Sequence, residues 1–380
     1  MYHTTTSQSG DWEKQLESAS HSAFISSQVT MEQFDLPDTT TSTYEEMGDG
    51  DVAAGDRDAF EKFVLALYGI ICVVGITGNL LVAIVLLRVP SLRSNTSDFL
   101  VHLSIIDFMV CLLVIPFFLA PTPNPTPNPG FVGGEFWCRF YVSQFLFWFS
   151  TMTSDFCLIT VNLERYVAIV RPHKYKTVFT KRNKYVMIVS CWVLAAVTES
   201  YILFFNGIDE EKRCSFIGWP NKGAQAVFGL YGFTVRLFGP LAVMVYAQLK
   251  VISTLNRQVK ILTSRTAIMG ANSSDQRKMW QLQASKTLVR TLLFCVMTFA
   301  VCWTPNQIWF LLFNFSVPVV AGGPFHHISV ILAVCNSCVN PVIYTMTNKP
   351  FRKGIREVFC RQRDSNQVGD NSGVTIGTVS

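Results

Sequence analysis

Charged residues are scarce in this chain. They make up 15% of its 380 residues, whereas hydrophobic residues make up 49%. Soluble domains carry roughly 25% charged residues, so this chain has too little polar surface to cover so much apolar material in water. The composition excludes an ordinary soluble protein and favours one embedded in a membrane.

Long uncharged runs support this reading. Residues Phe63–Leu87 and Thr291–Phe315 are two 25-residue runs without a charge. A helix needs about 20 mostly apolar residues to cross a hydrocarbon core of about 30 Å. Five further runs, which are mostly apolar, lie near residues 99–120, 140–163, 185–205, 224–247 and 325–347. The sequence therefore predicts an all-α membrane protein, a seven-transmembrane helix bundle over residues 60–348.

The basic residues predict the orientation of the bundle. Twenty-three of the 31 lysines and arginines fall in one alternating set of loops that ends with the C-terminal tail. Cytoplasmic loops carry such an excess, so we expect a multi-pass plasma-membrane protein with a cytoplasmic C-terminus and an extracellular N-terminus. The first 61 residues carry thirteen acidic and two basic residues. Residues 1–59 are expected to form a disordered, acidic extracellular tail.

The segment after the last span, residues 349–361, has two faces. It places apolar Phe351, Ile355 and Phe359 on one side and basic residues largely on another. That pattern predicts a short amphipathic helix on the inner membrane surface, and the alternative is a solvated basic tail. Cys360 resembles a palmitoylation site, and residues 362–380 are expected to be a disordered cytoplasmic tail.

Only two of the eleven cysteines fall in expected extracellular positions, Cys138 and Cys214. Disulfides form on the oxidising side of the membrane, so these two residues are expected to be bonded to each other. The alternative is a pair of free thiols.

Several polar residues lie inside the expected spans, where an ionisable group is costly and marks function. Asp107, Asn79, Ser154, Asn336, Ser337 and Asn340 are the clearest cases. Taken singly, each is explained by a polar bridge between helices. Together they predict an oxygen-rich pocket suited to a small hard cation or to waters.

Two spans contain interior prolines, Pro305 and Pro341. Each removes a backbone hydrogen bond and predicts a kink. Such a kink is either a pivot or a static bend.

With these residues in order, the chain resembles a rhodopsin-like (class A) G-protein-coupled receptor over residues 60–362, of the peptide-receptor type. The resemblance is carried by Asn79, Asp107, the Cys138–Cys214 pair, Glu164-Arg165-Tyr166, Trp192, Pro240, Phe299, Cys302, Trp303, Pro305, Asn340, Pro341, Tyr344 and Phe351.

The resemblance implies specific roles. Arg165 would rest against Glu164 beside Tyr166 until the sixth helix swings outward and frees the arginine for a heterotrimeric G protein. Switch roles would fall to Phe299, Trp303, Pro305, Asn340, Pro341 and Tyr344. Asp107 and Ser154, with Asn336 nearby, would hold an allosteric Na⁺, and no other cofactor is implied. The other expected partners are arrestin, a receptor kinase and membrane lipid, with no nucleic acid.

Some residues of this chain differ from the usual family pattern. The inner end of the sixth helix, "LQASKTLVR", has no acid to hold Arg165, which predicts basal activity. Gln248 stands where a tyrosine is usual. Cys138 lies 27 residues before Arg165, two more than usual. Arg236 is expected to pair with one of two acids inside the bundle, Asp155 or Glu199.

The ligand class is narrowed by what is missing. No acid lies in Ser143–Ser150 to hold an amine, and the seventh span has no lysine for a retinal Schiff base. The acidic tail favours a basic peptide, and the alternative is a lipid or another small non-amine ligand. Candidate ligand-binding residues are Gln144, Phe147, Trp219, Asn306, Gln307, Trp309 and His327.

Other protein classes are less compatible with the sequence. The sequence shows no nucleophile–base pair and no metal-ligand cluster of the kind that marks an enzyme. The one histidine pair, His326 and His327, is adjacent in sequence, so the two side chains point apart on a helix. A seven-helix transporter or channel stays as a remote alternative, since neither an internal repeat nor paired broken helices are present.

Overall fold

The computed structural model describes residues 49–120, 132–208, 214–270, 272–320 and 323–370. Residues 1–48 of the expected acidic tail and 371–380 of the expected cytoplasmic tail lie outside these ranges. The proline-rich stretch 121–131 lies outside them as well.

Seven long helices form the bundle, and an eighth follows it. Their bounds are α1 Asp49–Arg88, α2 Asn95–Val114, α3 Phe145–Val170, α4 Lys181–Glu199, α5 Gly239–Met269, α6 Ser273–Asn314, α7 Pro324–Thr347 and α8 Lys349–Asp370. Shorter helical segments are Pro90–Leu92, Ile115–Leu119, Val132–Trp137, Cys138–Val142, Pro172–Val178, Tyr201–Phe205, Lys222–Gly232 and Phe233–Phe238. Two strands, β1 (Asn206–Ile208) and β2 (Cys214–Phe216), pair as an antiparallel hairpin.

Two helix boundaries differ from the predicted ones. Residues 49–59, assigned to the disordered tail, are helical because α1 begins at Asp49. The amphipathic helix begins at Lys349 as expected but extends past residue 361 to Asp370. Both ends were placed by the change from apolar to polar composition, and a helix can continue into water beyond that change.

Side-chain caps begin several helices. Ser94 and Ser97 form a reciprocal capping box at the start of α2, which satisfies backbone N–H groups that lack an intrahelical partner. Thr180 accepts a bond from the backbone of Asn183 at the start of α4, and Asn272 does the same for Asp275 at the start of α6. These caps lie in the expected loops and define where the chain re-enters each helix.

Six helices in the described part of the chain are long and apolar enough to cross a membrane. Helix α3 is not among them because polar residues lower its average apolarity. The polar residues are Ser150, Thr151, Thr153, Ser154 and Asp155, and all five are buried. Helix α3 packs against α2, α4 and α5. Its hydroxyls therefore lie inside the bundle, where Ser150, Thr151 and Thr153 bond carbonyls of α3 itself. The bundle closes through α5–α6, α6–α7, α7–α1 and α1–α2 contacts.

Pro341, the interior proline of α7, is packed against a glycine of α1. A Cβ on Gly78 would lie 2.8 Å from the side chain of Pro341, which is inside van der Waals contact. Gly78 therefore lets α1 approach the proline of α7 closely. The same approach places Asn79, the next residue of α1, close to a neighbouring turn of α7.

The two extra residues before α3 have a structural explanation. Cys138–Val142 is π-helical, and Gln144 adopts a left-handed conformation with φ 57°. A π-helical turn holds more residues than an α-helical turn. The longer spacing between Cys138 and Arg165 is therefore accommodated before Phe145, and α3 itself stays regular.

Candidate functional site

The C-terminal half of α3 carries a closed ion pair. The Nε of Arg165 lies 2.5 Å from Oε2 of Glu164, and its Nη2 lies 2.6 Å from Oε1. Glu164 is fully buried, whereas the side chain of Arg165 keeps 16% exposure. Such two-pronged, charge-assisted contacts are among the stronger hydrogen bonds in proteins.

Two neighbours hold the Glu164 carboxylate in place. The Thr96 hydroxyl of α2 donates to Oε2 at 2.9 Å, and the Tyr175 hydroxyl donates to Oε1 at 2.6 Å. Burial and the hydrogen bond to Glu164 raise the pKa of Tyr175 to about 12, so the phenol stays protonated and keeps donating at neutral pH. Neither Thr96 nor Tyr175 was predicted, because both lie outside the motif.

Helix α5 reaches α3 one turn above this pair. The Nε2 of Gln248 donates to Oδ1 of Asn162 at 2.6 Å, and both side chains are buried. Gln248 therefore ties α5 to α3 directly. Tyr166 instead packs in a small apolar cluster around Val251 and Leu255. No α6 side chain in the described ranges hydrogen-bonds Arg165.

In the middle of the bundle, hydrogen-bond donors surround the carboxylate of Asp107. Ser154 donates to its Oδ1 at 2.6 Å, and the amide of Asn340 donates to its Oδ2 at 2.9 Å. Ser337 also lies within hydrogen-bonding reach of this carboxyl. The contact of Asn336, the third residue of the predicted Na⁺ set, is to Asp155 at 3.4 Å. A carboxylate, a hydroxyl and amides are hard oxygen donors of the kind that small cations take.

The predicted switch residues line α6 and α7. Phe299 and Trp303 are buried, and their ring centroids lie 6.3 Å apart. Pro305 and Pro341 both lie inside their helices. Tyr344 is buried one turn after Asn340, with its ring 6.4 Å from that of Phe351 in α8.

The expectation that Arg236 pairs with an acid is confirmed. The guanidinium of Arg236 bonds Glu199 of α4, and both side chains are buried. It also lies 5.3 Å from the ring centroid of Trp148 in α3, a cation–π distance. Arg236 lies in Phe233–Phe238, a π-helical segment just before α5, so the direction of its side chain cannot be read from a regular helical repeat. Trp148 was not predicted as part of this cluster.

The predicted disulfide between Cys138 and Cys214 is present. It joins the segment before α3 to strand β2 of the hairpin. Arg139 supports the same junction, because its Nη1 donates to the carbonyl of Leu203 at 2.5 Å and its Nε contacts Glu135 at 2.8 Å.

The structure divides the candidate ligand-binding residues into three groups. At the α6–α7 rim, Asn306 and Gln307 are buried and hydrogen-bonded to each other at 3.2 Å. Trp309 packs against His326 with the rings tilted by 40° and their centroids 4.1 Å apart, and His327 meets Phe60 of α1 edge to face.

The second group, Gln144 and Phe147, is buried at the start of α3, where Phe147 packs against Phe117 and Phe118. The third, Trp219, packs against Phe205 and Phe228 beside the hairpin, with centroids 4.6 and 4.8 Å away. Trp219 also packs against the apolar cluster that contains Trp309, so the hairpin side meets the α6 side there, whereas Phe147 lies in a different part of the core. Cys360 lies in α8, and its side chain lies outside what the structure describes.

Comparison with known proteins agrees with this geometry. A family profile described as "7 transmembrane receptor (rhodopsin family)" matches residues 78–344. The chain is 28% identical to galanin receptor type 1 of Rattus norvegicus over 82% of this chain and 86% of that protein. It is 27% identical to the allatostatin-A receptor of Bombyx mori, over 78% and 80% of the two chains. Somatostatin receptor type 5 of Rattus norvegicus is also 27% identical, over 82% and 81%.

The profile spans the stretch that holds the α3 ion pair, the Asp107 site and both interior prolines. This chain belongs to the rhodopsin family of seven-transmembrane receptors.

Proposed function

We propose that this receptor binds an extracellular peptide and activates heterotrimeric G proteins. The observation that carries the proposal is the closed Glu164–Arg165 pair at the cytoplasmic half of α3. An arginine held by its own neighbour is available to a partner protein only in a second state of the bundle. Ligand binding at the extracellular end of the bundle shifts the population toward the state in which Arg165 is free.

The structure suggests how the two ends communicate. Trp303 and Phe299 are buried within α6, and Pro305 follows Trp303 by two residues. A proline pivot lets the inner half of α6 move as a unit. The Gln248–Asn162 bond keeps α5 against α3 while Arg165 is held.

The peptide ligand is favoured by the extracellular features and by the relatives. The matched proteins are named for galanin, allatostatin-A and somatostatin, which are peptides. The hairpin of β1 and β2 offers a backbone edge beside the aromatic Trp219. A strongly acidic N-terminal segment attracts basic ligands.

The proposed setting is the plasma membrane, with the N-terminus outside and the C-terminus inside. The Cys138–Cys214 disulfide fits the oxidising outer side. Helix α8, with its basic residues, would lie on the inner leaflet, anchored further by palmitoylation of Cys360. Tail hydroxyls after α8 would be substrates for a receptor kinase and, when phosphorylated, sites for arrestin.

We also propose that Asp107 and Ser154 form a regulatory cation site, and Na⁺ is the simplest occupant. The residues fit, because Asp107 is fully buried and its donor set leaves the negative charge without a basic partner. A bound cation would offset the cost of burying that charge and stabilise the inactive state.

A G-protein dissociation panel tests the main proposal. Cells expressing the chain, the Arg165→Ala variant and an exposed-arginine control, Arg182→Ala, are measured without ligand and with a neuropeptide library. Peptide-evoked signal that is lost in Arg165→Ala but kept in Arg182→Ala supports the proposal. Silence toward all peptides, with a response to lipids in the same cells, would overturn the peptide assignment.

A further inference from the structure

The N-terminal half of α6 is hydrogen-bonded to α7. Arg165 bonds Glu164 of its own helix, and among the described residues it has no hydrogen-bond partner on α6. The hydroxyl of Thr291 on α6 instead lies 2.7 Å from the hydroxyl of Thr347 on α7. That separation is typical of a hydrogen bond between two oxygens. We call this contact the hydroxyl bridge.

The hydroxyl bridge lies at the level of the α3 ion pair. Val289, two residues before Thr291, is buried in the apolar cluster against which Tyr166 packs, and Tyr166 directly follows Arg165. At this level α6 therefore makes an apolar contact toward α3 and α5 and a hydrogen-bonded contact toward α7. Apolar contacts are non-directional, whereas a hydrogen bond has a defined distance and angle. The hydroxyl bridge thus fixes the position of α6 more narrowly than the apolar cluster does.

The two hydroxyls also bond carbonyls of their own helices. The Oγ1 of Thr291 lies 3.0 Å from the carbonyl oxygen of Thr287, and the Oγ1 of Thr347 lies 2.7 Å from that of Ile343. Each hydroxyl has one proton to donate and two lone pairs that accept, so two protons serve three contacts. Because the contact of Thr347 with its carbonyl is the shorter one, the geometry favours a directed chain. Thr291 donates to Thr347, and Thr347 donates to the Ile343 carbonyl.

The anchor of the bridge on α7 is itself held by α8. Thr347 lies in the last turn of α7, where Nη1 of Arg352 donates to the carbonyls of Thr345 and Met346 at 3.0 and 2.8 Å. The last carbonyls of a helix have no intrahelical partner, so these bonds satisfy groups that the helix leaves open. The α7 side of the bridge is therefore fixed, and breaking the bridge releases α6.

We propose that the hydroxyl bridge positions α6 in the state in which Glu164 holds Arg165. The proposal rests on the proposed G-protein function and adds its regulation, because the inner half of α6 moves away from α7 only when the bridge breaks. Thr291 is fully buried, so water does not take the place of Thr347 until the two helices separate. Both threonines act as positioning residues and need no contact with the ligand.

Spin labels on the purified full-length receptor in lipid nanodiscs test the bridge without a G protein. Labels are attached at two exposed positions, Arg182→Cys near the start of α4 and Arg277→Cys near the start of α6. Cys335 and Cys360 are replaced by serine, and the other free cysteines of the described residues are buried. Without ligand, double electron–electron resonance should show a longer second distance when Thr291→Val is introduced. We expect the ratio of the long to the short distance to rise about fivefold, the effect of one neutral hydrogen bond.

Matched variants isolate the bridge from other effects of substitution. Thr347→Val should give the same increase, and the double valine variant should give no more than either single one, because all three remove the same bond. Thr291→Ser keeps the hydroxyl and should behave as the parent. Thr287→Val, one turn earlier on α6, removes a hydroxyl that bonds the carbonyl of Gln283 on its own helix, and it should also behave as the parent.

The outcomes separate the bridge from the proposed function. An unchanged distance distribution in both valine variants overturns the bridge, and so do increases that add in the double variant. If Thr291→Val does not fold, Thr347→Val decides alone, since Thr347 is only half-buried. Ligand-independent G-protein dissociation is then measured on the same variants in cells. A longer distance without signal in any variant supports the bridge and overturns G-protein activation, whereas a signal that rises about fivefold with it supports both.

Discussion

Arg165 is folded back onto the residue before it, with both of its contacting nitrogens within 2.6 Å of the Glu164 carboxylate. The same carboxylate also accepts bonds from Thr96 and Tyr175. Glu164 is thus held from three directions, by α2, α3 and the short helix after α3. The latch that holds Arg165 lies within this neighbourhood and does not need an acid on α6.

Replacing Glu164 with glutamine is expected to raise basal signalling about tenfold. The change removes the charge that holds Arg165, and a hydrogen bond to a charged group contributes roughly 1.5–3 kcal/mol. Ligand-independent G-protein dissociation, normalised to surface receptor, measures the effect. Asp98→Asn serves as the matched control, because Asp98 is an acid paired with Lys184 and does not contact Arg165. Equal basal signal in Glu164→Gln and wild type would contradict the latch.

Tyr175→Phe is expected to raise basal signalling by a smaller factor, about threefold to fivefold. It removes one donor from Glu164, and a single hydrogen bond contributes about 1 kcal/mol. Because the pKa of Tyr175 is raised to about 12, the donor stays protonated as the pH rises from 7 to 9, so this contribution should not change over that range. A basal rate that rises with pH in wild type but not in Tyr175→Phe would show that the phenol does titrate there.

Arg236→Ala is expected to reduce surface expression strongly. It leaves Glu199 buried without its partner, and breaking a buried ion pair costs about 3–5 kcal/mol. The double variant Arg236→Met with Glu199→Met should recover much of the expression, since an apolar replacement of both partners is often tolerated. Flow cytometry of surface-labelled receptor measures both. Wild-type expression and signalling in Arg236→Ala would refute a structural role for the pair.

Gln248→Leu is expected to raise basal signalling about fivefold. The leucine cannot donate to Asn162, and loss of a neutral hydrogen bond of about 1 kcal/mol releases α5 from α3. A double-mutant cycle with Asn162→Ala tests the pairing. If the effects of the two single changes simply add, the 2.6 Å contact does not couple the helices in the way we argue.

Loss of the disulfide is expected to abolish peptide-evoked signalling. Removing a native disulfide costs roughly 2–5 kcal/mol in small secreted domains, and here it also frees the hairpin from the segment that leads into α3. Cys138→Ser, Cys214→Ser and the double variant should share one phenotype, because each removes the same bond. A double variant clearly worse than either single one would indicate a separate role for one thiol.

Much of the fold follows from local sequence. The seven spans were found from long, mostly apolar runs, and the motif residues Glu164, Trp303 and Pro341 from their order along those spans. The helix ends were less well placed, because a helix such as α1 or α8 continues past the point where the chain becomes polar. Helix α3 tolerates many polar residues because they are buried inside the bundle: its hydroxyls mostly bond carbonyls of α3 itself, while Ser154 and Asp155 bond side chains of α2 and α7.

The sequence by itself determined the membrane class, the number of helices, the cysteine pair and the identity of the buried polar residues, because these depend on composition and order. Only the tertiary structure decided which polar groups meet: Arg236 with Glu199, and Asn336 with Asp155. Those pairings depend on the rotation of each helix, and the π-helical segments Cys138–Val142 and Phe233–Phe238 change that rotation. A regular 3.6-residue repeat does not contain that information, so the partners of the buried charges emerged only when the helices were packed together.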